Sequence, residues 1–167
     1  YEYQAETRSL DDYLARNPAT GLLIARGDTI LVERYQYART DRHRFTSFSM
    51  AKTVTAMLVG IAIAENLIRS VDDPAGTYLP ALADTEYGRT SLRHLLQMSS
   101  GVRFRENYSG QDDVARLFAA TVLQGGPGGV EAVRPYNERG RWSGALFSYA
   151  SVETQVLGLV LRSVVGR

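Results

Sequence analysis

The stretch "FTSFSMAKTVTAMLVGIAIAEN", residues 45–66, decides how this chain is read. It holds Lys52, the one lysine of the sequence, in a run that is otherwise uncharged until Glu65; every other residue among the 19 Lys and Arg side chains is an arginine. Ser49 precedes it by three positions, a spacing that puts hydroxyl and amine on one face of a helix. A serine hydroxyl becomes an effective nucleophile when a neighbouring base takes its proton. Lysine can be that base only if its pKa falls from about 10.4 to roughly 7 or 8, a shift favoured by an apolar helix and a second cationic or hydrogen-bonding neighbour. Arginine stays protonated in proteins and cannot do this work. The competing reading is a surface lysine that follows a serine by chance, so the pair needs support from elsewhere in the chain.

Composition bounds what that support can be. At 167 residues, 44% hydrophobic and 22% charged, the chain suits one ordinary globular domain with a real core. A net charge of +1 with both signs mixed along the sequence gives no basic field for nucleic acid or an anionic membrane. Cysteine is absent, which excludes disulfides and thiolate metal sites. The run from Thr53 to Ala64 is shorter than the ~20 residues of a membrane span. It reads as a buried core helix, with Met50, Met57 and Met98 as core fillers. The sequence starts at Tyr1 without a signal-peptide pattern, so a trimmed N-terminus is expected and localisation stays open.

Outward from the serine-lysine pair, "TRSLDDYLARN" (7–17) has the spacing of a short amphipathic helix ended by Pro18. Two runs, Gly21–Arg26 and Thr29–Tyr35, joined at Gly27-Asp28, read as an antiparallel hairpin. From Ser49 onward the pattern turns helical: Ser49–Glu65, "TSLRHLLQM" with Thr90 or Ser91 as N-cap, "DDVARLFAATVLQ" and "SVETQVLGLVLRSVV". Strands followed by helices predict an α+β chain. A lone hairpin is marginal without further strands.

Other constellations carry less. His43 and His94 are the two histidines, and no Gly-x-Ser-x-Gly elbow accompanies them; His94 reads as a helix-surface or capping residue and His43 as part of a solvated connection. Neither has a spaced ligand partner, so no metal is expected. "QGGPGGV" (124–130) reads as a flexible loop, with a lid over a pocket as the alternative. Asp72-Asp73 and Asp112-Asp113 read as helix caps and first-turn acids. Arg103 and Arg105 read as a solvated face, or as ligands for a substrate carboxylate.

Support comes from "FSYASVETQVLGLVLRS", where Tyr149 stands two residues before Ser151 at the head of an amphipathic pattern. A phenol held against a serine-lysine pair can relay protons; a tyrosine on a core edge is the plainer alternative. Together "GLLIARGDTILVERY", "FTSFSMAKTVTAMLVGIAIAE", "TSLRHLLQMSSGVRF" and "FSYASVETQVLGLVL" resemble the penicillin-recognising serine hydrolases. That superfamily includes class C β-lactamases, D-alanyl-D-alanine peptidases, carboxylesterases and 6-aminohexanoate-oligomer hydrolases.

The resemblance implies a β-lactamase/transpeptidase-like α+β fold, with residues 1–45 as helix and hairpin, residues 46–167 as the mainly helical part, and the whole chain as the N-terminal portion of one domain. It implies Ser49 as acylated nucleophile, Lys52 as base and Tyr149 as proton relay, with no cofactor and a small-molecule ester or amide as substrate. Tyr-x-Ser, with Ser151 where class C enzymes have asparagine, is more similar to the esterase and 6-aminohexanoate-oligomer hydrolase branch, in which Tyr108 and Ser151 would line the pocket. Rivals are a β-lactamase or peptidase with the same apparatus, and a silent ligand-binding domain. A third motif, expected well beyond Tyr149 on a sheet strand, is not present in these 167 residues.

Overall fold

A computed structural model describes residues 1–123, 125, 126 and 128–166. It contains two compact units, Tyr1–Ser47 and Phe48–Arg167. The first begins with a two-residue ladder between β1 (Glu2–Tyr3) and β2 (Glu6–Thr7), which the sequence pattern does not predict. Helix α1 (Leu10–Arg16) comes next, capped by the Ser9 hydroxyl on the Asp12 N–H and buried through Leu14. Strands β3 (Gly21–Arg26) and β4 (Thr29–Tyr35) form the expected antiparallel hairpin. Gly27, at φ 54°, supplies the left-handed residue that its tight connection needs.

The second unit opens with a 3-10 turn, Phe48–Met50, that runs into α2 (Ala51–Ala64). Short α3 (Ala75–Tyr78) and α4 (Leu92–Leu96) come after it, the latter capped by the Ser91 hydroxyl. Helix α5 (Asp113–Val122) is capped by Asp112, and α6 (Ser151–Val165) ends at Gly166 in the left-handed region. Helix α6 is the hub and packs against α2, α3, α4 and α5. Its Val152, Val156, Leu157 and Val160 fall at helical spacing on one buried stripe. They join Val59 and Ala62 of α2, Leu92 and Leu95 of α4, and Ile68, Leu82 and Tyr87 of the connecting segments in one core.

Three sequence expectations need correction. Helix α2 is not a buried core helix: it buries Val59 and Ala62, while Val54, Met57, Leu58 and Ile61 are exposed. Its packing runs along one stripe facing α6, so its other apolar side chains lie outside that seam. For the same reason Met50 and Met57, at 70% and 63% exposure, are not core fillers. Asp72 and Asp73 cap no helix, since the N-cap position of α3 is Pro74, which has no side chain able to cap. Asp72 instead pairs with Arg93, and Asp73 with Arg69 and the Tyr78 hydroxyl, because charge-assisted bonds to guanidinium outcompete a neutral backbone donor. The glycine-rich stretch 124–130 includes Gln124 and Pro127, which lie outside the described residues.

Within this unit, segment 98–101 is bound to segment 140–148: the Ser148 and Gly144 N–H groups donate to the carbonyls of Met98 and Ser99, and the Gly140 N–H donates to that of Gly101. The approach is close at Gly101, whose φ is 76° and where a Cβ would lie 2.2 Å from the Arg141 carbonyl oxygen. The same region holds a buried acid, Glu153, on the inward stripe of α6 and 1% exposed. Its Oε1 accepts the Ser100 hydroxyl at 2.6 Å and the Ser100 N–H at 3.4 Å. Its Oε2 is buried without a partner among the described residues. Burial therefore raises the Glu153 carboxyl from 4.5 to about 7, against the lowering effect of the Ser100 hydrogen bonds.

Two measurements check these points. Gly101→Ala is expected to destabilise the fold by about 2 kcal/mol or more, from the left-handed backbone and the carbonyl clash together, read as a lower urea midpoint. A carboxyl raised in the native state binds its proton more tightly than in the unfolded chain, so stability is lost as pH rises. The unfolding free energy should fall by roughly 3 kcal/mol between about pH 4.5 and 7 from Glu153, and Glu153→Gln should remove that slope in urea titrations across the range.

Candidate active site

Ser49 sits in the 3-10 turn at the head of α2, and Lys52 lies in the first turn of the helix. Lys52 Nζ is 3.0 Å from Ser49 Oγ, as the i, i+3 spacing predicts. The Tyr149 hydroxyl reaches the same oxygen at 2.7 Å from one hundred residues away in sequence. Lys52 Nζ also lies 5.2 Å from the centroid of the Tyr149 ring, within cation–π range. The three side chains thus form one cluster around Ser49 Oγ. A cavity of about 190 Å³ beside Lys52 is lined by Thr53, Ala56, Leu95, Leu96, Met98, Thr154 and Leu157, mostly apolar.

The backbone around this cluster is strained. Phe48, immediately before Ser49, has φ 44°, Met98 has φ 52° and Tyr108 has φ 58°. Bulky residues rarely adopt these values, at a cost of order 1–3 kcal/mol each, and they concentrate at functional sites. At Phe48 the turn presents Ser49 on the exposed surface at the helix head.

Electrostatics favour an acidic phenol. Burial alone would push the Tyr149 hydroxyl up, but its interactions with Lys52 and Ser49 and the Lys52 charge outweigh that, and the phenol lies below its usual value of 10.0. Opposite stands Glu106, which the sequence pattern does not single out. Its Oε2 accepts the Ser151 N–H at 2.6 Å, and its Oε1 accepts the hydroxyls of Ser151 at 2.7 Å and Tyr108 at 2.8 Å. One carboxylate thereby joins both expected pocket residues to the head of α6, which has no side-chain cap of its own at Ala150. The available signal is an acid between Arg105 and Tyr108, in a segment expected to line a pocket.

Asp112 fixes the same loop from below. Its carboxylate accepts the N–H groups of Asn107, Tyr108 and Ala115, and these bonds outweigh burial to hold it below the usual carboxylate range. The Glu106 bond, burial and the Glu106 charge push the Tyr108 phenol up to about 12.

The remaining candidates have other partners. His94 is half-buried, with Nδ1 2.8 Å from the Ser143 hydroxyl, and His43 bonds Thr40 within its own exposed turn. Arg103 pairs with Glu138, and Arg103 and Arg105 line an open cleft of about 540 Å³ with Arg141, Phe104 and Ser148. Among the described residues no group of three or more His, Asp and Glu side chains could hold a metal ion, and no helix is long and apolar enough to cross a membrane.

A family model described as Beta-lactamase matches residues 7–167. The chain belongs to the beta-lactamase family. It is 31% identical over 101 residues to a 6-aminohexanoate-dimer hydrolase of Paenarthrobacter ureafaciens, a match that takes in 59% of this chain and 25% of that protein. Among solved structures, a protein described as a 6-aminohexanoate-dimer hydrolase from Bacillus anthracis superposes with a TM-score of 0.80 at 21% identity, over 96% of this chain and 44% of that one. A protein described as a beta-lactamase from Bacteroides dorei DSM 17855 gives 0.69 at 22% identity, over 95% and 45%. These likenesses establish a β-lactamase/transpeptidase-like fold of mixed helices and small antiparallel sheets. The chain spans a quarter of the curated relative's length and just under half of these two structures. Family membership places it among the penicillin-recognising serine hydrolases.

The Glu106 bridge has a spectroscopic consequence. Glu106→Gln should bring the Tyr108 phenol from about 12 back towards its ordinary value near 10. Ultraviolet titration of the tyrosinate band, with Tyr108→Phe as the assignment control, measures this shift.

Proposed function

We propose that the protein carrying this chain is an acyl-serine hydrolase in which Ser49 is the nucleophile, Lys52 its base and Tyr149 the proton relay. The observation that carries the reading is the convergence of an amine and an acidic phenol on one serine oxygen, at 3.0 and 2.7 Å. In this mechanism Lys52 accepts the Ser49 proton as Oγ bonds to the substrate carbonyl carbon. The tetrahedral intermediate collapses, the bond to the leaving group breaks, and the proton on Lys52 passes through Tyr149 to the departing oxygen or nitrogen. Water then attacks the acyl carbon, giving its proton back through the same pair; the acid leaves and Ser49 is restored. The Ser49 N–H, at the positive end of α2, would be one donor to the developing oxyanion.

For the substrate we infer an ester or small linear amide. The support is the sequence similarity to a 6-aminohexanoate-dimer hydrolase and a rim built from Tyr108, Ser151 and Glu106 rather than from an asparagine after the tyrosine. The exposed apolar side chains of α2, together with the greater length of the relatives, support reading residues 1–167 as the N-terminal portion of one β-lactamase-like domain.

The test is active-site labelling of the complete polypeptide with a fluorophosphonate, adduct mapping by mass spectrometry, and turnover of p-nitrophenyl butyrate. Ser49 should carry the adduct, and Ser49→Ala should abolish it. Lys52→Arg should lower the acylation rate by about 10³-fold or more and Tyr149→Phe by about 10²-fold, the range of lost acid–base catalysis. A folded protein with no adduct at Ser49 would favour the silent binding domain, and rapid penicillin turnover would favour a β-lactamase.

A further inference from the structure

Glu153 is a buried carboxyl that the chemistry proposed for Ser49, Lys52 and Tyr149 leaves unused. Among the described residues it also has no ion-pair partner: of the basic groups on the elements around it, Lys52 of α2 bonds Ser49, Arg93 of α4 pairs with Asp72 and His94 with the Ser143 hydroxyl, Arg116 of α5 pairs with Asp113, and Arg139 binds Glu86 and the carbonyl of Ser100. Its other buried neighbour, Tyr87, is a phenol whose hydroxyl has no partner among the described residues and whose ionisation burial and the Glu153 charge oppose. What Glu153 does bond is Ser100, twice, through one oxygen.

The position of that bond matters. Ser148, the residue before Tyr149, donates its N–H to the Met98 carbonyl at 2.7 Å. Glu153, in the first turn after Tyr149, accepts from Ser100. Residues 98 and 100 therefore grip the chain on either side of Tyr149, spanning residues 148–153. The Ser100 hydroxyl in turn accepts the Val102 N–H, and the Ser100 carbonyl accepts from Arg139, so the gripping segment is itself held. Because α6 lacks an N-cap side chain, the Glu153–Ser100 bond acts on the buried side of the helix head while Glu106 acts on the other through Ser151.

We propose that Glu153 is a positioning residue for Tyr149: through Ser100 it fixes the head of α6 and so holds the phenol on Ser49. This inference rests on the reading of Ser49, Lys52 and Tyr149 as the reacting groups, and Glu153 touches none of them.

The experiment places Ser100→Ala, Glu153→Ala and Glu153→Gln in the complete polypeptide, each alone and combined with Tyr149→Phe. It reads kcat and KM for p-nitrophenyl butyrate and the 13Cζ-tyrosine resonance of Tyr149, assigned by its loss in Tyr149→Phe. Ser100→Ala and Glu153→Ala should lower kcat by about 10-fold or more with KM within about 2-fold, and should move the Tyr149 resonance. Glu153→Gln keeps the Oε1 acceptor and should stay within about 3-fold of the parent. On the Tyr149→Phe background the same changes should add less than about 2-fold, because residues that act through one another are not additive. Full multiplicative losses on that background, or an unmoved Tyr149 resonance in folded Glu153→Ala, would overturn the proposal. If Glu153→Ala does not fold, Ser100→Ala decides, since it removes one hydroxyl and leaves the helix intact. If the parent neither turns over nor labels at Ser49, the hydrolase reading fails; the Tyr149 resonance then judges positioning alone, a shift supporting it and no shift overturning it.

Discussion

The packing of α6 against α2 is the constraint on which the site depends. Ser49 and Lys52 come with their own geometry, because a helix brings i and i+3 together without help from the rest of the chain. Tyr149 does not. Its hydroxyl meets Ser49 because the stripe Val152, Val156, Leu157 and Val160 seats α6 in a core shared with Val59 and Ala62 of α2. A small rotation of α6 would carry the phenol out of hydrogen-bond reach. The burial of a few aliphatic side chains, at roughly 1.5–3 kcal/mol each, therefore underlies a polar contact that is itself exposed.

The head of α6 shows how such a contact is kept without a conventional cap. Where Ser9, Ser91 and Asp112 close their own helices, Ala150 offers no side-chain oxygen. Glu106 accepts the Ser151 N–H from one direction and Glu153 binds Ser100 from the other. A carboxylate such as Glu106 near a helix N-terminus also suits the helix dipole. The two acids differ in their surroundings: Glu106 is half-exposed and shares hydroxyl donors with the rim, whereas Glu153 is buried with one oxygen unpartnered among the described residues. The first links the helix to Tyr108, and the second links it to the interior.

Several features are legible in the chain because they are local. The hairpin Gly21–Arg26 with Thr29–Tyr35, the helix Ser151–Val165 and the Ser91 and Asp112 caps follow from periodicity and turn chemistry within a few residues. The role of α2 is not legible, for an instructive reason. An apolar run announces that a helix avoids water, but not how many partners it has, and in this unit α2 buries a single stripe. Asp72 and Asp73 mislead because cap and ion-pair acids look alike until Arg93 and Arg69 are placed beside them.

What the sequence determined by itself was the chemical alphabet of the site: one lysine at helical spacing from a serine, a tyrosine before an amphipathic helix, and motif order enough to suggest the superfamily. What only the tertiary structure decided was which distant groups meet. Glu106 on Ser151, Glu153 on Ser100 and Tyr149 on Ser49 join positions 45, 53 and 100 residues apart. Sequence patterns report which face of an element avoids water, and that information ends at the element's own surface. The meeting of two such surfaces is fixed by side-chain packing across the whole core, and it is there that a serine acquires its neighbours.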